Sequence, residues 1–338
     1  MLVRTLSVLL AVCLSLPAFA QPADRVLLRY HWNAGDEVVW QIKSETTGTI
    51  TMRDLTEDPV EETTTEVWSS ATMPMRLQVE AVDAEGNGTI TYRFGTIEMD
   101  VAAQGQQQYI RIDPAAGTVT ANGEQVPMPE SIGNWLRAPI KLVVSPRGEL
   151  LQVDLPETMQ MPGGLGGMDM TQWMRLSQQW QMTFPEQPVS AGYAWGASMP
   201  GVFGADEEAG DVGEGLEPPM ATMVFTLAGW ETVDGVECAR VEMAGAMDIA
   251  QLPGGMRGGL QMGAPEGMQM TMGPMHMSVA GSILFDPEAG TVVSADMRIL
   301  MDADQHMTGT VQTPEGAQTI DMQMLIRDML VETTTAPG

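Results

Sequence analysis

Near its C-terminal end the chain alternates in a way that few folds accommodate. Val293, Ala295, Met297, Ile299, Met301 and Ala303 take every second position, with Ser294, Asp296, Arg298, Leu300, Asp302 and Asp304 between them. Ile320, Met322, Met324 and Ile326 repeat the pattern. Successive side chains of a strand point to opposite faces, so a period of two predicts strands with one face in a core and the other in water. Such strands belong to an antiparallel sheet, since parallel strands are covered on both faces and read as continuous apolar runs. A membrane barrel also alternates, but it needs aromatic girdles, and aromatics make up only 5% of this chain.

The first half carries the same signature. Val26 to Trp32 and Glu37 to Ile50 read as strands around the turn Asn33-Ala34-Gly35-Asp36. Leu77, Val79 and Ala81 alternate with Arg76, Gln78 and Glu80, and Asp83 to Gly88 closes a hairpin. In the return strand Ile90, Tyr92 and Phe94 are followed, after Gly95, by Ile97, Met99 and Val101, a set shifted by one position. A one-residue slip at glycine is the mark of a β-bulge, which bends a sheet. Short strands follow at Tyr109–Asp113, Thr118–Ala121, Ile140–Val144 and Leu150–Asp154. The expected fold is all-β, with two related antiparallel curved sheets, half-barrel-like, joined by one short helix.

That helix is expected over 168–182, where Trp173, Leu176, Trp180 and Phe184 make one apolar stripe that Pro185 ends. Phe184, Pro185, Pro188, Val189, Gly192 and Trp195 then form an FPxxPVxxGxxW run. This run resembles an element of secreted bacterial domains of unknown function, themselves distantly similar to the LolA-like half-barrels of periplasmic lipoprotein carriers. The resemblance implies a shape and a compartment, and brings no catalytic residues. The two halves also share Asp113-Pro114 to Val119 and Asp286-Pro287 to Val292, each of the form DPxAGTV, which argues for an internal repeat. Both aspartates are expected to shape turns. The organisation read from these features is a leader over 1–20, a first β half over 21–160, a Gly-rich linker and helix over 161–184, and a second β half over 185–332. A polar tail is expected to fray from Glu332, with 333–338 disordered.

Arg4, an apolar run from Leu6 to Leu16 and the ending Ala18-Phe19-Ala20 compose a signal peptide, cleaved after Ala20. Cys13 sits early and after valine, which favours a soluble exported protein over a lipid-anchored one. With the leader gone, Cys238 is alone, so no intramolecular disulfide forms. Losing Arg4 takes the formal charge from -28 to -29. That charge repels nucleic acid and anionic membrane surfaces. No later stretch is apolar enough for a transmembrane helix.

Nine of the chain's 30 methionines lie between Met243 and Met277. Thioethers are soft ligands that select Cu(I). If 268–272 is extended, Met268, Met270 and Met272 share a face, and a fold-back at Gly273-Pro274 brings in Met275, His276 and Met277. Flexible filling of apolar gaps is the competing use of methionine. The three histidines, His31 in the first strand, His276, and His306 at a turn, lack the neighbours of known catalytic motifs, and neither HExxH, GxSxG nor CxxC occurs. Cys238 reads as a small buried hydrophobe. The Gly-rich runs 162–167 and 253–267 lack a phosphate-loop ending, and the acidic run 206–217 lacks EF-hand spacing. The expected function is therefore non-enzymatic binding of an apolar, lipid-like ligand, with Trp173, Trp180 and Trp195 as candidate contacts. Cu(I) binding or methionine oxidation is the alternative.

Overall fold

The structure, a computed structural model, describes residues 25–56, 58–103, 105–154, 182–199, 221–249, 268–313 and 316–338. Its strands are β1 (Glu37–Asp54), β2 (Glu61–Val82), β3 (Gly88–Phe94), β4 (Ile97–Ala103), β5 (Gln106–Asp113), β6 (Thr118–Ala121), β7 (Glu124–Pro127), β8 (Ile140–Val144) and β9 (Leu150–Asp154). The second half adds β10 (Ala194–Met199), β11 (Ala221–Val233), β12 (Val236–Ile249), β13 (Met268–Asp286), β14 (Thr291–Thr313) and β15 (Gly316–Pro337). One short helix, α1 (Glu130–Arg137), interrupts them.

Every pairing is antiparallel, and the sheet runs β10-β11-β12-β13-β14-β15-β1-β2-β4-β5-β6-β7, with β3, β8 and β9 branching from β2. The two halves of the chain meet where β15 pairs with β1, from Trp40 opposite Pro337 to Asp54 opposite Met322. The fork arises at Gly95. β3 and β4 lie one after the other along the same edge of β2, Phe94 opposite Met75 and Glu98 opposite Thr72, and the Gly95 N–H donates to the Pro74 carbonyl at 2.8 Å. The odd offset moves the apolar set from Ile90, Tyr92 and Phe94 to Ile97, Met99 and Val101, as the sequence predicts, and each half then feeds its own branch.

Directly opposed residues share a face, so the register shows which side chains each face of the sheet carries. One face carries Phe225, Val241, Ile283, Ala295, Ile42 and Met73 in neighbouring strands. The other carries the charges, paired across strands as Arg53–Glu62 at 2.7 Å, Lys141–Glu80 at 2.7 Å and Arg298–Glu332 at 2.7 Å.

Two core clusters form on the apolar face. In the larger, Leu28, Phe184 and Val189 pack on Phe225, Leu227, Val241, Val279 and Phe285. In the smaller, Ile90, Leu142 and Val144 pack with Trp32, Leu77 and Tyr92. The covering segments are not strands of the sheet. Residues 25–32 and 182–190 cross the apolar face as a double strap, joined by one bridge in which Val26 and Val189 exchange 2.8 Å hydrogen bonds. This corrects the reading of Val26 to Trp32 as a strand. Leu28 is buried and Leu27 exposed, so the segment alternates without pairing along its length. Tyr30 stacks on Trp32 at 5.0 Å and meets Phe285 edge-on at 5.4 Å, linking the two clusters.

Two further readings are corrected. Residues 332–337, expected to fray, close β15: 332–335 have partners on both sides, Thr335 lying opposite Ile42 and Ala295, and Ala336 and Pro337 pair with β1. His306, expected at a turn, sits inside β14 opposite Gln323. The helix expected over 168–182 falls almost entirely outside the described residues, as do the leader, both Gly-rich runs and the acidic run. α1, only two turns long and containing Gly133, left no periodic signal. It is held by Met128 N–H donating to the Gly117 carbonyl at 2.9 Å and by burial of Leu136.

Candidate binding face

The double strap owes its position to two arginines. Arg29 donates through Nη1 to the Pro185 carbonyl and through Nη2 to the Glu186 carbonyl, both at 2.7 Å. Arg147 donates through Nε to the Phe184 carbonyl at 3.0 Å and pairs with Glu149 and Glu186. Carbonyls that proline-rich backbone leaves without a ladder partner are thereby satisfied. Burial and the neighbouring Arg147 charge lower the Arg29 pKa. Below the strap, burial pushes the Tyr92 hydroxyl up to about 12 and the Tyr30 hydroxyl up as well, so both stay neutral in the core.

Away from the strap the apolar face continues along the far ends of the long strands. Ile326 and Met324 of β15 oppose Ile50 and Met52 of β1, and Met322 opposes Met307 of β14. None of these side chains belongs to either core cluster. All are partly accessible, and Met52 is 40% exposed. The apolar side chains there are largely methionines, unbranched and able to adapt to what they touch, with Gln305, Asp54 and Thr63 beside them on the same face.

The opposite face is different in kind. A hollow of about 760 Å³ on it is lined by Ala244, Ala280 and Ser282 together with Arg240, Glu242, Asp296, Arg298 and Glu332. Four of these charges pair off as Arg298–Glu332 and Arg240–Glu242.

The sequence-derived contacts distribute as follows. Trp195 is half-buried, stacks on Phe225 at 5.9 Å and donates from Nε1 to the Thr183 carbonyl at 2.9 Å, so it serves the larger core. Trp173 and Trp180 lie outside the described residues. Met268, Met270 and Met272 stand in β13 opposite Gly309, Met307 and Gln305. The expected fold-back at Gly273-Pro274 does not occur: β13 runs straight through to Asp286 with a register shift between Met272 and Met275. Proline has no N–H for the ladder and is accommodated at a bulge. Beyond the shift, Met275 and Met277 pack against the larger core. His276 opposes Asp248 and Asp302 on the polar face, so it cannot join those sulfurs.

Among the described residues, no group of three or more His, Cys, Asp or Glu is arranged to hold a metal ion. His306 Nε2 meets Asp321 Oδ1 at 2.6 Å in a half-exposed pair. Cys238 is buried in β12, and burial raises its thiol pKa, which suppresses thiolate chemistry. Sequence reasoning missed the cross-strand methionine pairs and the arginines that fix the strap, because both depend on register between distant segments.

No family model and no curated protein matches the sequence. Among solved structures, the chain is similar to lipovitellin, from work on lipid–protein interactions in that protein, with a TM-score of 0.39 and 9% identity, covering 90% of this chain and 25% of that one. It therefore spans about a quarter of the lipovitellin chain. It is also similar to MucB in complex with MucA(peri), at a TM-score of 0.12 and 11% identity over 84% of this chain and 88% of that one. A DUF1329 family protein from Desulfovibrio piger matches at a TM-score of 0.11 and 8% identity, over 87% and 83% of the two chains. Among the described residues, no helix is long and apolar enough to cross a membrane.

Proposed function

We propose that this is an exported, non-enzymatic binding protein that holds an apolar, lipid-like ligand on the uncovered part of its apolar face. The observation that carries the reading is the contrast along one sheet face. Under the strap, side chains such as Phe225 and Phe285 are fully buried, whereas Ile50, Met52, Met322 and Met324, on the same face, stay partly accessible. Removing apolar surface from water is worth about 25 cal/mol per Å², so a ligand with long hydrocarbon parts gains by lying there. Methionine, flexible and polarisable, suits a surface that accepts more than one shape.

Export rests on the leader read at 1–20, and the mass of the mature N-terminus tests it. Ligand binding is tested by organic extraction and mass spectrometry of the protein purified from the cells that make it. A recurrent lipid-like molecule at near-stoichiometric amount is the expected result; extracts indistinguishable from those of an unrelated acidic protein would overturn the reading.

A further inference from the structure

The register of β14, β15 and β1 gathers sulfur in a way that no single strand reveals. Met322 of β15 stands directly opposite Met307 of β14, and Met324, two residues on and therefore on the same face, stands directly opposite Met52 of β1. Directly opposed side chains have Cβ atoms about 5 Å apart, and residues i and i+2 on one strand lie about 6.5 Å apart. Each thioether sulfur is two bonds beyond its Cβ on freely rotating links, so Met322, Met324 and one flanking methionine reach a common point above β15. The backbone also brings Met270 of β13 opposite Met307. The hard donors nearest in register are Gln305, opposite Met324, and Asp54, opposite Met322.

We propose that Met307, Met322, Met324 and Met52 form a Cu(I)-binding site on the apolar face, with Met322 and Met324 at its centre. Thioethers are soft and neutral, so they select Cu(I) over the harder divalent ions, and three of them match its low coordination number. The partial exposure of all four side chains gives the ion an entry path. The two central sulfurs alternate with Asp321, Gln323 and Leu325, whose side chains go to the other face and leave the site free of competing ligands from β15. The inference does not depend on the apolar-ligand reading, because it rests on sulfur placement and not on exposed hydrophobic area.

The test is anaerobic titration of the full chain with Cu(I) in competition with a chromophoric Cu(I) chelator, followed by X-ray absorption of the loaded protein. The expected result is one Cu(I) per chain with sulfur-only ligation. The M322L/M324L double variant should bind at least about tenfold more weakly, since leucine keeps the volume and removes the sulfur. The single variants M307L and M52L should each weaken binding by less and serve if the double variant does not fold. M73L/M75L is the control, because Met73 and Met75 share the same face of β2 but oppose Ile42 and Trp40. It should bind as the parent does. Absence of Cu(I) binding, nitrogen or oxygen ligation, or equal loss in the control and central pairs would each overturn the proposal. Lipid-like ligand bound by M322L/M324L at parental affinity would leave the apolar-ligand reading intact while the metal site failed.

Discussion

Phe184 and Arg147 hold each other by two backbone-directed hydrogen bonds: the Phe184 N–H donates to the Arg147 carbonyl at 2.8 Å, and Arg147 Nε donates back to the Phe184 carbonyl at 3.0 Å. The aromatic ring at the centre of the larger core is thus positioned by a residue from the β8–β9 turn. Phe184 is fully buried and meets Phe285 at 4.7 Å. Replacing Phe184 with alanine should destabilise the protein by about 3–5 kcal/mol, the range for emptying a buried aromatic site. Chemical denaturation measures this; a loss below about 1 kcal/mol would mean the strap does not close the core.

The two DPxAGTV turns give a paired test. In both, the aspartate Oδ1 accepts from the backbone three residues on, at 2.9 Å, and the glycine adopts φ 67. A Cβ at Gly117 would meet only the movable Arg137 guanidinium at 3.3 Å, whereas at Gly290 it would meet the His31 backbone nitrogen at 2.3 Å. G117A should therefore cost about 1–2 kcal/mol, the ordinary penalty of the left-handed region. G290A should cost clearly more, because the strap has to shift. Equal melting temperatures for the two variants would contradict the strap's position.

Glu80 supplies a pH dependence. It accepts from buried Thr91 Oγ1 at 2.6 Å and pairs with Lys141 Nζ at 2.7 Å, and these hydrogen bonds, Lys141 first, lower its pKa from the ordinary 4.5. A carboxylate whose folded pKa lies below its unfolded one stabilises the fold fully above the unfolded value, and that stability is lost as pH falls through the folded value. The same contacts raise the Lys141 pKa, so its share is lost at the alkaline end, above 10.5. E80Q should flatten the acid limb of stability against pH below 4.5, and K141M should flatten the alkaline limb. Curves parallel to the parent's would refute the coupling.

Cys238, buried and with its thiol pKa raised by burial, should resist a thiol reagent at neutral pH in the folded, leader-free protein and react promptly in denaturant. Fast labelling of the native protein would contradict its burial.

Much of the sheet was legible because one-sided burial imposes a period of two. The apolar sets at 295–303 and 320–326, the slip at Gly95 and the short strands 118–121, 140–144 and 150–154 all follow from it. What periodicity cannot carry is register. Alternation in 26–32 looks like a strand but belongs to a strap, since Leu28, Tyr30 and Trp32 turn inward without a ladder. The polarity of 332–338 reads as a frayed tail because nothing local reveals that β1 pairs with it as far as Pro337 and β14 as far as Thr335. Gly273-Pro274 reads as a fold-back because nothing local reveals that β13 runs on through a register shift there. The binding face was legible in character and not in place: of the residues singled out in β13, Met275 and Met277 pack against the larger core while His276 opposes Asp248 and Asp302 on the polar face, and the methionines that meet across strands lie far apart in sequence.

Under the proposed function, the far half of the apolar face receives the ligand. Ile320 and Thr319 are neighbours in β15 on opposite faces, Ile320 opposite Gly309 and Thr319 opposite Thr310. Titration of the delipidated protein with a fluorescent conjugated fatty acid compares I320E with T319E. A buried carboxylate is expensive to desolvate, so I320E should bind about tenfold or more weakly while T319E matches the parent. Equal affinities for both variants, or no binding by the parent, would contradict the account.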